Sequence, residues 1–238
     1  MRLALTALLL AAGPAMGQEL TISLGEGGSF TARTVQLLAL ITVLSLVPGL
    51  AVMITCFPFV VTVLSILRQA IGLQAAPPNM LIVTLALFLT WFVMDPVLTE
   101  AWQNGIGPLS EGNMPLDEAI GLALDPFRRF MAARLEPDTF AAMAALRPGI
   151  APDLPMVEAP LSLLVPSFLL SEISRAFEIG FLIFLPFLII DLVVAAILMS
   201  MGMMMVPPAI VSLPFKLAFF VVADGWALIA GALVRSYG

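Results

Sequence analysis

The stretch GFLIFLPFLIIDLVVAAILMSMGMMMVPPAIVSLPFKLAFFVVADGWALIAGALV, residues Gly180 to Val234, decides how this chain is read. Between Asp191 and Lys216 it carries no charge, so it belongs in lipid or against protein, because water does not tolerate so much apolar surface on a soluble domain. Three charges, Asp191, Lys216 and Asp224, sit inside this apolar setting, and Met203, Met204 and Met205 are followed closely by Pro207 and Pro208. A double proline cannot continue a helix and restricts the residue before it. The pattern predicts a helical hairpin whose tip carries the three methionines.

Composition supports an all-α, membrane-associated protein. The 238 residues are 61% hydrophobic and 11% charged, with a mean hydropathy of +1.09, outside the soluble globular range. There is no histidine and one cysteine, Cys56, which excludes histidine-assisted nucleophilic catalysis, zinc centres and internal disulfides together. No catalytic residue, metal or cofactor is expected, and Cys56 reads as a small apolar packing residue. A net charge of -6 argues against nucleic acid as a partner.

Working outward to the N-terminus, Arg2, the apolar run Leu3 to Ala12, Gly13-Pro14 and the small residues Ala15 and Gly17 form the layout of a secretory signal peptide over residues 1–17. Cleavage is expected between Gly17 and Gln18. Residues 18–33 then form a polar, glycine-rich flexible lead. Residues 34–99 form a first hydrophobic helical hairpin. Thr34 to Leu67 lacks any charge and would span about 50 Å as one helix, beyond the apolar thickness of a bilayer. Pro48-Gly49 and Pro58 are expected to kink or break it into two pieces, closed by Arg68. Pro77 and Pro78 start the next apolar run, Met80 to Met94, which Asp95-Pro96 interrupts or bends.

Residues 100–160 differ in character, with nine acidic residues against four arginines and eight prolines. This is a solvated periplasmic insertion. Asp125-Pro126 and Glu136-Pro137 read as helix starts, so its helices are expected to be short, with Phe127, Phe130 and Met131 sharing a face. The adjacent Arg128 and Arg129 read as a solvated face. Residues 161–238 form the C-terminal helical hairpin with its methionine-rich tip, preceded by Glu172, Arg175 and Glu178 at three-residue intervals. Two readings of this ladder stay open: a surface salt-bridge ladder, which contributes little, or pairing with a neighbouring subunit.

The pieces IGF, PFLIIDLV, MGMMMVPP, LPFKL and DGW, in that order and spacing, resemble the C-terminal half of the FliP family, an export-gate subunit of flagellar type III secretion. PPNMLIVTLALFLTWFVMDPV resembles the family's second hydrophobic helix, and the signal peptide and acidic insertion are similar too. The resemblance implies five copies assembling with FliQ-like and FliR-like subunits into a helical gate for unfolded proteins, with FlhB-like and FlhA-like export components as further partners. It also implies that the gate sits on the periplasmic side of the bacterial inner membrane, within the flagellar basal body, so that not every hydrophobic segment crosses the bilayer. One departure stands at Thr55-Cys56-Phe57-Pro58-Phe59, where a basic side chain of the family pattern is lost and a proline gained.

Against this stand a homologous injectisome subunit and, from a different class, a small-solute or ion transporter, motivated by the three charges in apolar surroundings. No internal repeat supports the transporter. Within the gate reading, Met203, Met204 and Met205 are either flexible core fillers or, gathered around an axis, a deformable pore gasket. Asp191, Lys216 and Asp224 are expected to be paired within or between subunits, since burying each alone would cost several kcal/mol.

Overall fold

The longest helix is built from the stretch that opened the sequence. In the computed structural model, which describes residues 30–73, 77–151, 154–203 and 205–237, that helix covers Leu161–Ser200 and passes through Pro166 and Pro186 without ending. The order of elements is α1 (Phe30–Met53), α2 (Phe57–Ile71), α3 (Asn79–Ala101), a π turn (Trp102–Ile106), α4 (Gly107–Ser110), α5 (Leu116–Arg134), α6 (Pro137–Ala145), a 3-10 turn (Met156–Glu158), α7 (Leu161–Ser200), α8 (Pro208–Val222) and α9 (Gly225–Arg235). No strand occurs among the described residues. The protein is all-α, built of membrane-associated helical hairpins.

Two units are distinguished, one ending at Leu46 and the other running from Val47 to Gly238. In the first, α1 exposes Leu37, Leu38, Ile41 and Leu44. The second unit is organised around the crossing of α2 and α7, which is the most extensive pairing of helices. Cys56, Phe59, Val63, Leu64 and Leu67 of α2 and its cap are wholly buried there, on one face of an amphipathic helix. The approach is close because Gly180 has no side chain. A Cβ at that position would lie 2.4 Å from Ile66 Cδ1 and 3.3 Å from Ile66 Cβ. A second cluster, around Met131, Leu135, Phe140, Leu163, Leu164 and Phe168, joins the insertion to the foot of α7.

Several proline-based expectations are corrected. The break between the first two helices falls at residues 54–56, not at Pro48, which lies inside α1. Pro58 instead occupies the first turn of α2, where its missing N–H costs nothing. Asp95-Pro96 does not interrupt α3, which runs through Pro96. The irregularity comes later, at the π turn, where Gly107 donates to the Trp102 carbonyl. A Cβ on buried Gly105 would come within 2.6 Å of the Ala119 carbonyl, so this turn lets α5 approach the backbone directly. Asp125-Pro126 is likewise no start. Pro126 is buried within the 19-residue α5, longer than the short helices expected, whereas Pro137 does open α6.

By length and composition, the 40-residue α7 and the segment Asn79–Ser110 are apolar and long enough to cross a membrane, and up to four spans result if the broken pairs α1–α2 and α8–α9 each count as one.

Candidate functional site: buried charges and the hairpin tip

The turn between α7 and α8 is closed by a glycine that the proline pattern concealed. Gly202 takes φ +76°, the Met203 N–H donates to the Leu198 carbonyl at 2.9 Å, and the Gly202 N–H donates to Met199 at 3.0 Å. These two bonds form a Schellman motif, which ends a helix and satisfies its last carbonyls. Pro207 then caps α8 in extended conformation and Pro208 opens it. The tip side chains have little cover: Met205 is 97% exposed, and Met201, Met203 and Val206 are exposed as well. Met204 lies outside the described residues, as do Gly17 and Gln18 at the expected cleavage point.

Below the tip the two arms are pinned by one polar cluster. Lys216 of α8 is buried and donates to Asp191 Oδ2 on α7 at 2.6 Å and to the Ala70 carbonyl at the end of α2 at 3.2 Å. Ser212, one turn from Lys216, donates to Asp191 Oδ1 at 2.5 Å. Asp191 is thus held through both oxygens, the condition under which a buried ion pair is tolerated. Between this pin and the tip the arms enclose an apolar groove of about 400 Å³, walled by Ile190, Val194, Leu198, Val211 and Phe215 among others.

Asp224 does not join the pin. It is exposed and forms the elbow between α8 and α9, which meet at 62°. Its φ of +48° and ψ of 48° place it in the left-handed region, which aspartate visits more readily than most residues. Gly225 beside it packs under Phe220, whose ring a Cβ would meet at 2.1 Å.

The charges at 172, 175 and 178 do not form a surface ladder. Glu172 is wholly buried. Its Oε1 accepts from Arg134 Nε at 3.1 Å and its Oε2 accepts from the Tyr237 hydroxyl. Arg134 also donates to the Ser236 carbonyl at 2.7 Å, and its guanidinium lies 4.0 Å over the Tyr237 ring. Its Nη2 is buried and makes no hydrogen bond, so the cation–π contact is part of what compensates the buried charge. Arg175 is peripheral, 3.8 Å from Glu172 Oε1. Glu178 is exposed and has no ion-pair partner among the described residues. Tyr237 packs edge-on against Phe59 and stacks on Phe130. Burial, then the Glu172 charge and the bond to it, hold its phenol above the ordinary value, with Arg134 opposing.

The pair Arg128 and Arg129 divides. Arg129 is half exposed and bridges Glu100 and Asp125, with the bond to Glu100 as the largest influence raising its basicity. Arg128 instead donates to the carbonyls of Val157 and Ala159, tying α5 to the 3-10 turn.

The FliP family model matches residues 40–233, a span that contains both charge clusters except Tyr237 and Ser236, and the whole methionine tip. The chain belongs to the FliP family. It is 50% identical over 224 residues to "Flagellar biosynthetic protein FliP" of Caulobacter vibrioides, covering 94% of this chain and 84% of that one. The Bacillus subtilis protein of the same name is 45% identical over 87% of this chain and 93% of its own. That of Aquifex aeolicus is 42% identical over the full length of both.

In this FliP-family chain the pin thus unites two of the three apolar-segment charges. Sequence reasoning missed Arg134 and Tyr237. They meet Glu172 across separations of 38 and 65 residues, beyond any helical spacing rule. The signal available was that Tyr237 is the sole tyrosine, a residue whose hydroxyl, once buried, needs a partner.

Proposed function

We propose that this chain is a core subunit of the flagellar type III protein export gate, forming part of the conduit for unfolded flagellar proteins. Membership of the FliP family makes it a component of the flagellar export apparatus. The observation that carries the role of the site is the C-terminal hairpin: two apolar arms pinned by a buried ion pair, ending in methionines that the chain itself leaves uncovered.

In the assembled gate, about five copies surround an axis together with FliQ-like and FliR-like subunits, adjoined by FlhB-like and FlhA-like components. The assembly lies on the periplasmic side of the inner membrane in the basal body. Neighbouring subunits then cover the exposed apolar faces of α3, α7 and α8. Met203, Met204 and Met205 form a gasket at the axis. Thioether chains are unbranched and repack at low cost, so they close against one another to exclude water and ions and part around a polypeptide of any sequence. The work is sealing and positioning, which requires no bond-making residue.

Replacing all three methionines with alanine should leave the native mass of the purified complex unchanged while raising ion conductance through it. An assembled triple-alanine complex as tight as the parent would return these residues to ordinary packing. A wild-type complex whose native mass is that of a monomer or dimer would instead favour a transporter.

A further inference from the structure

Along α3 and into the π turn that follows it, Trp91, Asp95 and Trp102 recur at i, i+4 and i+11 and line a cleft of about 400 Å³ with Thr99, Gln103 and Phe127. The two indoles are 65% and 57% exposed, and the Asp95 carboxylate between them is exposed with no ion-pair partner among the described residues. A carboxylate flanked by aromatic surfaces is suited to a planar organic cation, which gains Coulomb attraction from the acid and quadrupole attraction from the rings.

We propose that this cleft receives the guanidinium of Arg235 from a second copy of the chain, an inference that rests on the oligomeric gate. Charge complementarity and the lack of an internal partner select that cation. Among the lysines and arginines whose side chains are described, Arg235 alone makes no hydrogen bond or ion pair: Arg68 reaches Asn79, Arg128 and Arg129 are bonded as above, Arg134 and Arg175 share Glu172, Arg147 reaches Ser162, and Lys216 holds Asp191. Asp95 and Arg235 are both exposed and unpaired among the described residues. A head-to-tail contact, in which one surface of each copy meets a different surface of the next, generates a ring where the rotation between copies closes. The Asp95 cleft and the Arg235 end of α9 are such a pair of surfaces.

The test uses the full export-gate complex carrying Asp95→Cys on one tagged copy and Arg235→Cys on another. An arginine–aspartate pair holds its Cα atoms farther apart than the ~7 Å a disulfide can bridge, so a short bis-maleimide linker replaces oxidation. Cys56, the sole native cysteine, is buried. A cross-linked dimer, absent when either variant is present alone, is expected. As a second arm, Asp95→Arg should lower the yield of assembled complex about tenfold, the effect of roughly 1.4 kcal/mol, and adding Arg235→Asp should restore it to within about twofold. No cross-link in a complex of unchanged native mass, or no rescue by the double reversal, overturns the proposal and leaves a lipid headgroup or another subunit in the cleft. A wild-type chain that does not oligomerise overturns the gate reading along with it.

Discussion

Gly180 and Ile66 are matched so closely that no side chain fits between them: a Cβ on the glycine would stand 2.4, 3.1 and 3.3 Å from three carbons of the isoleucine. The two residues set the distance between α7 and α2. Cδ1 and Cγ2 can move with the side-chain torsions, but Ile66 Cβ is fixed to the backbone of α2.

Gly180→Val should therefore force the helices apart at the centre of the unit, at a cost of about 1–3 kcal/mol for overpacking. Adding Ile66→Ala should recover part of that loss by making room. Thermal unfolding of the detergent-solubilised protein reads both; a Gly180→Val variant as stable as the parent would show that the crossing is not set here.

Lys216→Ala removes the one cation that neutralises Asp191 and leaves the Ala70 carbonyl without its donor. Breaking a buried pair from one side costs about 3–5 kcal/mol, and the lower end applies because Asp191 keeps some contact with solvent. The predicted result is loss of assembled complex on native gels. Lys216→Met combined with Asp191→Leu should be milder than Lys216→Met alone, since no charge is then stranded.

Tyr237 offers a spectroscopic check, because it is the sole tyrosine. Its ordinary value is 10.0 and burial beside Glu172 raises it. The folded chain therefore retains the phenol proton above pH 10, where the unfolded chain releases it. Stability from this group is fully present below about pH 10 and falls as pH rises further, because the native state then binds more protons than the unfolded one. Phenolate absorbance should appear only together with loss of helix, and a phenolate titration near pH 10 in the folded protein would mean that the hydroxyl does not reach Glu172.

The all-helical class, the hairpin and the family were legible in the sequence because each depends on local features: an uncharged run, a double proline, and short motifs in fixed order. The proline positions were harder. Pro48, Pro96 and Pro126 all lie inside helices, since a proline that removes one hydrogen bond and crowds the carbonyl four residues back can bend a long helix without ending it. The element that ends α7 is Gly202, whose left-handed conformation is encoded in a residue overlooked beside the prolines. Glu172 shows a different limit. Its spacing to Arg175 and Glu178 suggested a helical ladder, but its principal partners come from α5 and the end of the chain, and helical periodicity carries no information about contacts so far apart in sequence.

The positions of the two charge clusters on α7 have a mechanical consequence. Glu172 is gripped by Arg134 and Tyr237, and Asp191 by Lys216 and Ser212, two clamps separated by about 28 Å of continuous helix. A rod clamped at two points is held between them, even across the missing hydrogen bond at Pro186, and free beyond the second. The free end here is Leu192 to Ser200, a cantilever of little more than two turns facing an unfilled apolar groove. Bending of the methionine tip can then be absorbed in that overhang, while the shaft below it stays in register.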